Sequence, residues 1–376
     1  MERQFKSRLL LLAGSMMMLF AQSCNKNTID SQPNPDDSSN INLDRSLPQY
    51  MAWWGGFNTI HMPLDSVPDG VNIVNLFLLE LDPRPEVALD TSHITMQDFT
   101  WADILAGAKR LQARGIKVVA TIMDSTPYLD RSDPNSLPVQ YGFPGKVINE
   151  AFALGAITEP EIFAATVKRR VIDEWGLDGI DFDLEEEIGA FGVYNATISE
   201  DRRSIRYDRG NISNSLAVFK ALSKYFGPKS GTDKLLIVDR GRRPMEIIPA
   251  AHEYFDYIFF QAYNWNQAMI LQAYELNKDY FQPSQMYFTL NGQRAINGYD
   301  ESRDYVRNGF TEYGNYARAA SIADEFSKIK LPGQELPINF GIYQIAGDWS
   351  LGFPMMKAVF NNQGKDTLDD YPMKLE

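Results

Sequence analysis

From residue 47 onward the chain repeats one pattern, a short apolar run followed by a longer segment with helical periodicity. The apolar runs are Tyr50 to Trp54, Ile73 to Leu79, Lys117 to Ile122, Gly179 to Leu184, Leu235 to Asp239, Tyr257 to Ala262, Met286 to Leu290 and Ile338 to Ile345. Helical patterns lie between them at Asp98 to Arg114, Glu159 to Trp175, Asn214 to Phe226, Met245 to Phe255, Gln267 to Tyr280 and Tyr316 to Ile329. Only the first connection lacks an obvious helix. Strands that are apolar on both faces need cover on both, which parallel sheets obtain from the helices of their crossovers. Eight such units predict an α/β fold, a single (β/α)8 TIM barrel over residues 47–376. A doubly wound open sheet is the rival architecture, and the lack of a GxGxxG after the first run weakens its nucleotide-binding version. The segment from Glu186 to Ile212 has no clear periodicity and predicts a long rim loop or hairpin after strand four.

In such barrels chemistry gathers where strands end and βα loops begin. The fourth run is unusual there. It reads Asp178-Gly179-Ile180-Asp181-Phe182-Asp183-Leu184-Glu185, and strand alternation puts Asp181, Asp183 and Glu185 on one face. Three carboxylates stacked inside a barrel are costly unless they share protons, bind a cation or accept hydrogen bonds. Crowding of like charge raises at least one pKa, giving a group that holds a proton near neutrality and can donate it. Glu185, nearest the strand's C-terminal end, is best placed to reach a substrate. The competing reading is a Mg²⁺ or Ca²⁺ site made from the same carboxylates. Other strand-end groups are Trp53, Trp54, Glu80, Asp82, Asp124, Asp239, Arg240, Gln261, Tyr263, Asn264, Asn291, Gln293, Asp348 and Trp349. The tryptophans have a plain alternative as core residues. One Cys and three His (His61, His93, His252) are too few for a Cys/His zinc site or a disulfide framework, so catalysis must come from carboxylates and hydroxyls.

The run DGIDFDLE resembles the DGxDxDxE signature on the fourth strand of family 18 glycoside hydrolases, the chitinases and endo-β-N-acetylglucosaminidases. Gln261-Ala262-Tyr263-Asn264 is similar to that family's sixth-strand tyrosine motif, and Trp349 resembles its subsite-floor tryptophan. The sequence departs from the chitinases in three places. Ala120-Thr121-Ile122-Met123-Asp124 stands where they carry a small-residue SxGG, Leu184 replaces a tryptophan, and Gln261 with Asn264 replaces Met and Asp. The resemblance therefore leans to the endo-β-N-acetylglucosaminidases, particularly the lipid-anchored enzymes of Bacteroidota. It implies substrate-assisted retaining hydrolysis of the chitobiose core of N-glycans, without a cofactor. Glu185 is then the acid and base, Asp183 the partner of the acetamido N–H, Asp181 its tuning neighbour, and Tyr263 the donor to the acetamido oxygen. Asp178, Gln261, Asn264, Trp349, Trp54, Asp124 and Asn291 complete the expected substrate-binding set. A chitinase, or a surface glycan-binding lipoprotein without turnover, remains an alternative.

Residues 1–8 carry three basic side chains, residues 9–20 are apolar and Cys24 follows, a pattern that reads as a lipoprotein signal peptide over 1–23. The apolar stretch falls short of the roughly 20 residues a spanning helix needs. Cys24 is the expected lipidation site, and the Asn/Asp/Ser/Pro-rich segment to residue 46 is the expected flexible tether. These features predict an outer-membrane lipoprotein exposed at the surface, held to the membrane by its lipid. The net charge is −13, and Arg3, Lys6 and Arg8 against Glu2 leave the part after residue 23 more acidic still. Nucleic acid is therefore not an expected partner, a GlcNAc-containing oligosaccharide is, and a monomer is expected.

Overall fold

The computed structural model describes residues 49–55, 61–82, 84–91, 99–123, 127–128, 139–140, 154–184, 193–198, 205–209, 212–240, 246–263, 265–292 and 316–362. Eight parallel strands close on themselves: β1 (Tyr50–Gly55), β2 (Ile73–Leu81), β3 (Lys117–Met123), β4 (Gly179–Asp183), β5 (Leu235–Arg240), β6 (Tyr257–Phe260), β7 (Met286–Asn291) and β8 (Asn339–Tyr343). Closure comes from β1, which pairs with β2 on one side and β8 on the other. A two-residue strand, Leu89–Asp90, adds antiparallel to β2. The predicted TIM barrel is therefore the observed fold.

The helices are α1 (Trp101–Ala113), α2 (Pro160–Lys168, continued by a wide π turn over Arg169–Glu174), α3 (Ile212–Leu222), α4 (Ile248–Ala251), α5 (Gln267–Asn277), α6 (Tyr316–Phe326), α7 (Ile345–Ser350) and α8 (Pro354–Asn362). Helix α1 begins later than its periodicity suggests because Thr100 caps it. The Thr100 hydroxyl accepts from the Asp103 backbone N–H, and the Asp103 carboxylate accepts from the Thr100 N–H. Where a long helix over Met245 to Phe255 is expected, only the single turn α4 and a 3₁₀ turn, His252–Tyr254, form. The eighth strand ends at Tyr343, and Asp348 and Trp349, expected just past it, lie on α7. The long connection after β4 contains an antiparallel hairpin, Val193–Ile198 against Ile205–Arg209.

Two apolar layers flank the sheet. The inner one fills the barrel with Met51, Trp53, Ile73, Phe77, Leu78, Val119, Met123, Leu235, Ile237, Tyr257, Phe259 and Tyr287. The outer one lies between the strands and helices, and Ile180, Phe182 and Leu184 belong to it. Alternation along β4 thus sends Asp181 and Asp183 inward, as the sequence pattern requires. Gly179 lets β4 approach β5 closely, because a Cβ there would stand 2.3 Å from the Leu235 carbonyl oxygen.

In the outer layer Phe219 on α3 meets the Phe182 ring edge-on at 5.3 Å and the Phe255 ring at 4.9 Å, and it is completely buried. Phe219→Ala should cost about 3–5 kcal/mol of stability in urea unfolding. A loss under 1 kcal/mol would show that α3 does not depend on this packing.

Candidate active site

The C-terminal half of the barrel interior is polar, and strand register brings its groups together. Asp181 stands opposite Thr121 of β3 and Ile237 of β5; one step further along, Asp183 stands opposite Met123 and Asp239. Asp181 is completely buried and Asp183 is 3% exposed. A buried carboxylate needs donors. Thr121 Oγ1 donates to Asp181 Oδ2 at 3.0 Å, and Asn75 Nδ2, from β2, donates to the same oxygen at 3.2 Å. Burial pushes the Asp181 carboxyl up to about 7, against the opposing influence of the Thr121 hydroxyl and the nearby Trp53 indole. The group can therefore hold a proton at neutral pH.

Gln261, immediately past β6, donates from Nε2 to Asp183 Oδ1 at 3.0 Å and reaches Asp239 Oδ2 at 3.5 Å. A neutral amide thus ties together two carboxylates on adjacent strands. Tyr263, two residues on and half-buried, stacks on the Tyr343 ring with centroids 5.7 Å apart. Tyr343, the last residue of β8, also meets Phe77 at 5.3 Å and Trp53 at 6.4 Å, both edge-on, and its hydroxyl accepts from Gln344 Nε2 at 3.0 Å. Asn291 ends β7 directly opposite Tyr343 and is 7% exposed. The Asn266 side chain caps α5 by accepting from the Met269 N–H, which anchors the turn that carries Tyr263.

Asp181, Asp183, Gln261, Tyr263 and Asn291 therefore belong to this end of the barrel. Other expected members do not. Asp178 precedes β4 at the opposite end, where its carboxylate accepts from the Val118 backbone N–H and Gln112 Nε2 and faces Lys117 and Lys234 at 3.6 and 3.5 Å. It is a strut of the barrel floor, out of reach of a ligand at the strand ends. Trp54 points into the outer layer, 1% exposed, with its indole N–H donated to the Met62 carbonyl. Such a ring is core, not a sugar platform. Trp349 also packs against the outer layer, so the aromatic at the mouth from the last strand is Tyr343. Arg240 turns outward over the Phe260 ring, and Asp82 pairs with Arg84. Asp348 caps α8 through the N–H groups of Met355 and Met356, and burial raises its pKa to about 7. Glu185, Glu186, Glu187, Asn264, Asp124, Gln293, His93 and Cys24 lie outside the described residues.

Sequence reasoning did not single out Asn75, Thr121, Phe77 and Tyr343. Asn75 had a usable signal, since it is a polar side chain within a nine-residue strand whose every position is buried. Tyr343 had none apart from its place at a strand's end. Among the described residues no cluster of three or more His, Cys, Asp or Glu has the geometry to hold a metal ion, and no helix is long and apolar enough to cross a membrane.

A family model for the endo-β-N-acetylglucosaminidase EndoS TIM-barrel domain matches residues 57–322, a span that contains β2 to β7 and the carboxylates of β4. Endo-β-N-acetylglucosaminidase F2 of Elizabethkingia meningoseptica is 26% identical over 241 residues, 58% of this chain and 66% of that protein. The match thus spans just under two thirds of this relative's length. Among solved structures, a GH18 chitinase from Pseudoalteromonas aurantia is similar with a TM-score of 0.53 at 14% identity, over 83% of this chain and 99% of that one. A Group IV chitinase from Ostrinia furnacalis gives 0.51 at 12% identity, over 84% and 100%. At these identities the likeness concerns the fold.

The raised pKa of Asp181 links stability to pH. The folded state keeps a proton that the unfolded chain releases near pH 4, so wild-type stability falls as pH rises from about 4 to about 7. Asp181→Asn, which retains an acceptor for Asn75 and Thr121, should flatten that part of the urea-derived stability curve, leaving the slope from Asp348. An unchanged curve would mean that Asp181 ionises normally.

Proposed function

Since the chain belongs to the endo-β-N-acetylglucosaminidase TIM-barrel family, we propose that it hydrolyses the GlcNAc-β1,4-GlcNAc bond of the chitobiose core of N-linked glycans, with retention and with the sugar's own 2-acetamido oxygen as nucleophile. The observation that carries this reading is the inward pair Asp181 and Asp183, held by neutral donors at the end of the barrel where Tyr263 also lies.

Glu185 follows this pair in the sequence and is assigned the acid role, protonating the glycosidic oxygen and later deprotonating water. Asp183 accepts from the acetamido N–H and offsets the positive charge of the cyclic oxazolinium. Gln261 holds its carboxylate by donating to Oδ1. Asp181, able to hold a proton near neutrality, shares it with Asp183 and lowers the cost of two acids in one dry site. Tyr263 donates to the acetamido oxygen and orients it towards C1, an effect of proximity. Its ring rests on that of Tyr343. The half-buried faces of Tyr263 and Tyr343 give the sugar an apolar wall.

The test is glycan release. The soluble part from residue 46, incubated with high-mannose, hybrid and complex glycoproteins, should leave a single GlcNAc on the asparagine of at least one class, read as a mass drop. Glu185→Gln and Asp183→Asn should each lower kcat by about 10²–10⁴. Cleavage of chitin oligomers with no glycoprotein trimmed would replace the substrate, and loss of activity in EDTA would point to a cation held by the carboxylates.

The N-terminal pattern supports a second proposal, that the enzyme is tethered by lipid at Cys24 to the outer membrane and works at the cell surface. Palmitate labelling in cells should disappear in Cys24→Ala; persistent labelling would remove the anchor from the proposal.

A further inference from the structure

Glu80 is a strand-end carboxylate that the proposed reaction leaves without a task. Simple alternation along β2, whose Asn75 side chain reaches Asp181 inside the barrel, would send Glu80 into the outer layer. The register prevents this. Leu76 stands opposite Ala120 and Leu79 opposite Ile122, so β2 advances three residues where β3 advances two, a bulge at Phe77 and Leu78. Both of those side chains join the inner apolar cluster, and beyond them the parity is reversed. Leu79 and Leu81 pack in the outer layer, and Glu80, opposite the inward Met123, faces the interior. Its backbone is flanked on both sides, by Met123 and by Asp90 of the short antiparallel strand, which takes over where β1 ends at Gly55. Glu80 is 2% exposed and lies about as deep as Asp183, at 3%.

Met123 links Glu80 to Asp183 in register, so the two carboxylates belong to one layer of the wall, two strand spacings or roughly 10 Å apart. That span accommodates one pyranose ring with a hydrogen bond of about 2.8 Å at each edge. Asp183 and Tyr263 are assigned to the 2-acetamido group. The ring carbon opposite C2 is C5, which carries the hydroxymethyl group, so a sugar seated this way turns its 6-hydroxyl towards β2. We propose that Glu80 accepts from the 6-hydroxyl of the N-acetylglucosamine whose glycosidic bond is cleaved, and so holds that ring at the edge opposite its acetamido group. The inference rests on the reaction given in the preceding subsection and adds a substrate-binding residue to it. An ionised carboxylate accepts hydrogen bonds and donates none, and its bond to a hydroxyl is strengthened by the charge. On this side of the mouth β1 ends in Gly55 and β8 in Tyr343, and Glu80 is the one carboxylate within the three strands. Anchors at opposite edges fix the ring's orientation where a single anchor would leave it free to rotate, which keeps C1 aligned with the attacking acetamido oxygen.

A binding cycle between one side chain and one hydroxyl tests the proposal without turnover. The full chain in detergent, carrying Glu185→Gln to prevent cleavage, is titrated calorimetrically with the trimannosyl-chitobiose core and with the same glycan lacking the 6-hydroxyl on its second N-acetylglucosamine. The deoxy glycan should bind about 10–100-fold more weakly, the loss expected for a hydrogen bond to a charged group. Adding Glu80→Gln should weaken the intact core by a similar factor and leave the deoxy glycan nearly unaffected, because the partner is already missing. Equal affinities for the two glycans, losses that simply add, or no binding of either glycan would overturn the proposal. Should Glu80→Gln fail to fold, the comparison of the two glycans with Glu80 intact decides, since it alters no residue of the barrel wall. In the glycan-release assay Glu80→Gln should lower kcat/KM by the same factor, and trimming at the wild-type rate would remove Glu80 from the site while leaving the reaction in place. If the wild-type protein trims no glycoprotein while the cycle still couples Glu80 to the 6-hydroxyl, the proposed reaction fails and the Glu80 assignment stands.

Discussion

The interior of this barrel is organised by the cost of burying carboxylates. Asp181 and Asp183 lie where water has little access, and each survives there because neutral side chains from other strands donate to it: Asn75 and Thr121 to the first, Gln261 to the second. None of these donors carries a charge. A lysine or arginine in their place would hold both acids as anions and remove the proton on which acid–base chemistry draws. Neutral donors leave the pair poised, with burial holding Asp181 near 7.

That arrangement depends on the closed sheet. Asn75, Thr121, Asp181, Asp239 and Gln261 belong to five successive segments of the barrel wall, and their side chains meet only because register aligns them on one inner face. The outer layer does the complementary work. Phe182, between the two inward acids, packs edge-on against Phe219, itself backed by Phe255, and burial of this face opposes a one-residue slip of β4 that would exchange its faces. Packing at the back of the strand thus keeps the acids at the front.

The aromatic wall illustrates how one position can be filled by different residues. The sequence suggested Trp349 and Trp54 as ring platforms, yet both pack outward. The rings at the mouth come instead from Tyr263 and Tyr343, with Trp53 and Phe77 behind them. For Trp53 and Trp54, adjacent on one strand, alternation alone decides the outcome: one ring enters the barrel and the other the helical layer.

What the sequence determined by itself was whatever is local and periodic. Eight apolar runs separated by helical patterns specify the barrel, and the alternation of acids with Ile180, Phe182 and Leu184 specifies which side of β4 is chemical, because side-chain direction along a strand follows from residue parity. What only the tertiary structure decided was who meets whom across strands. Asn75 reaches Asp181 over 106 positions of sequence and Gln261 reaches Asp183 over 78, whereas Asp178, inside the same acidic motif, lies at the far end of the strand bound to the barrel floor. Contacts of that range depend on the register and closure of the whole sheet, which no short stretch of residues encodes.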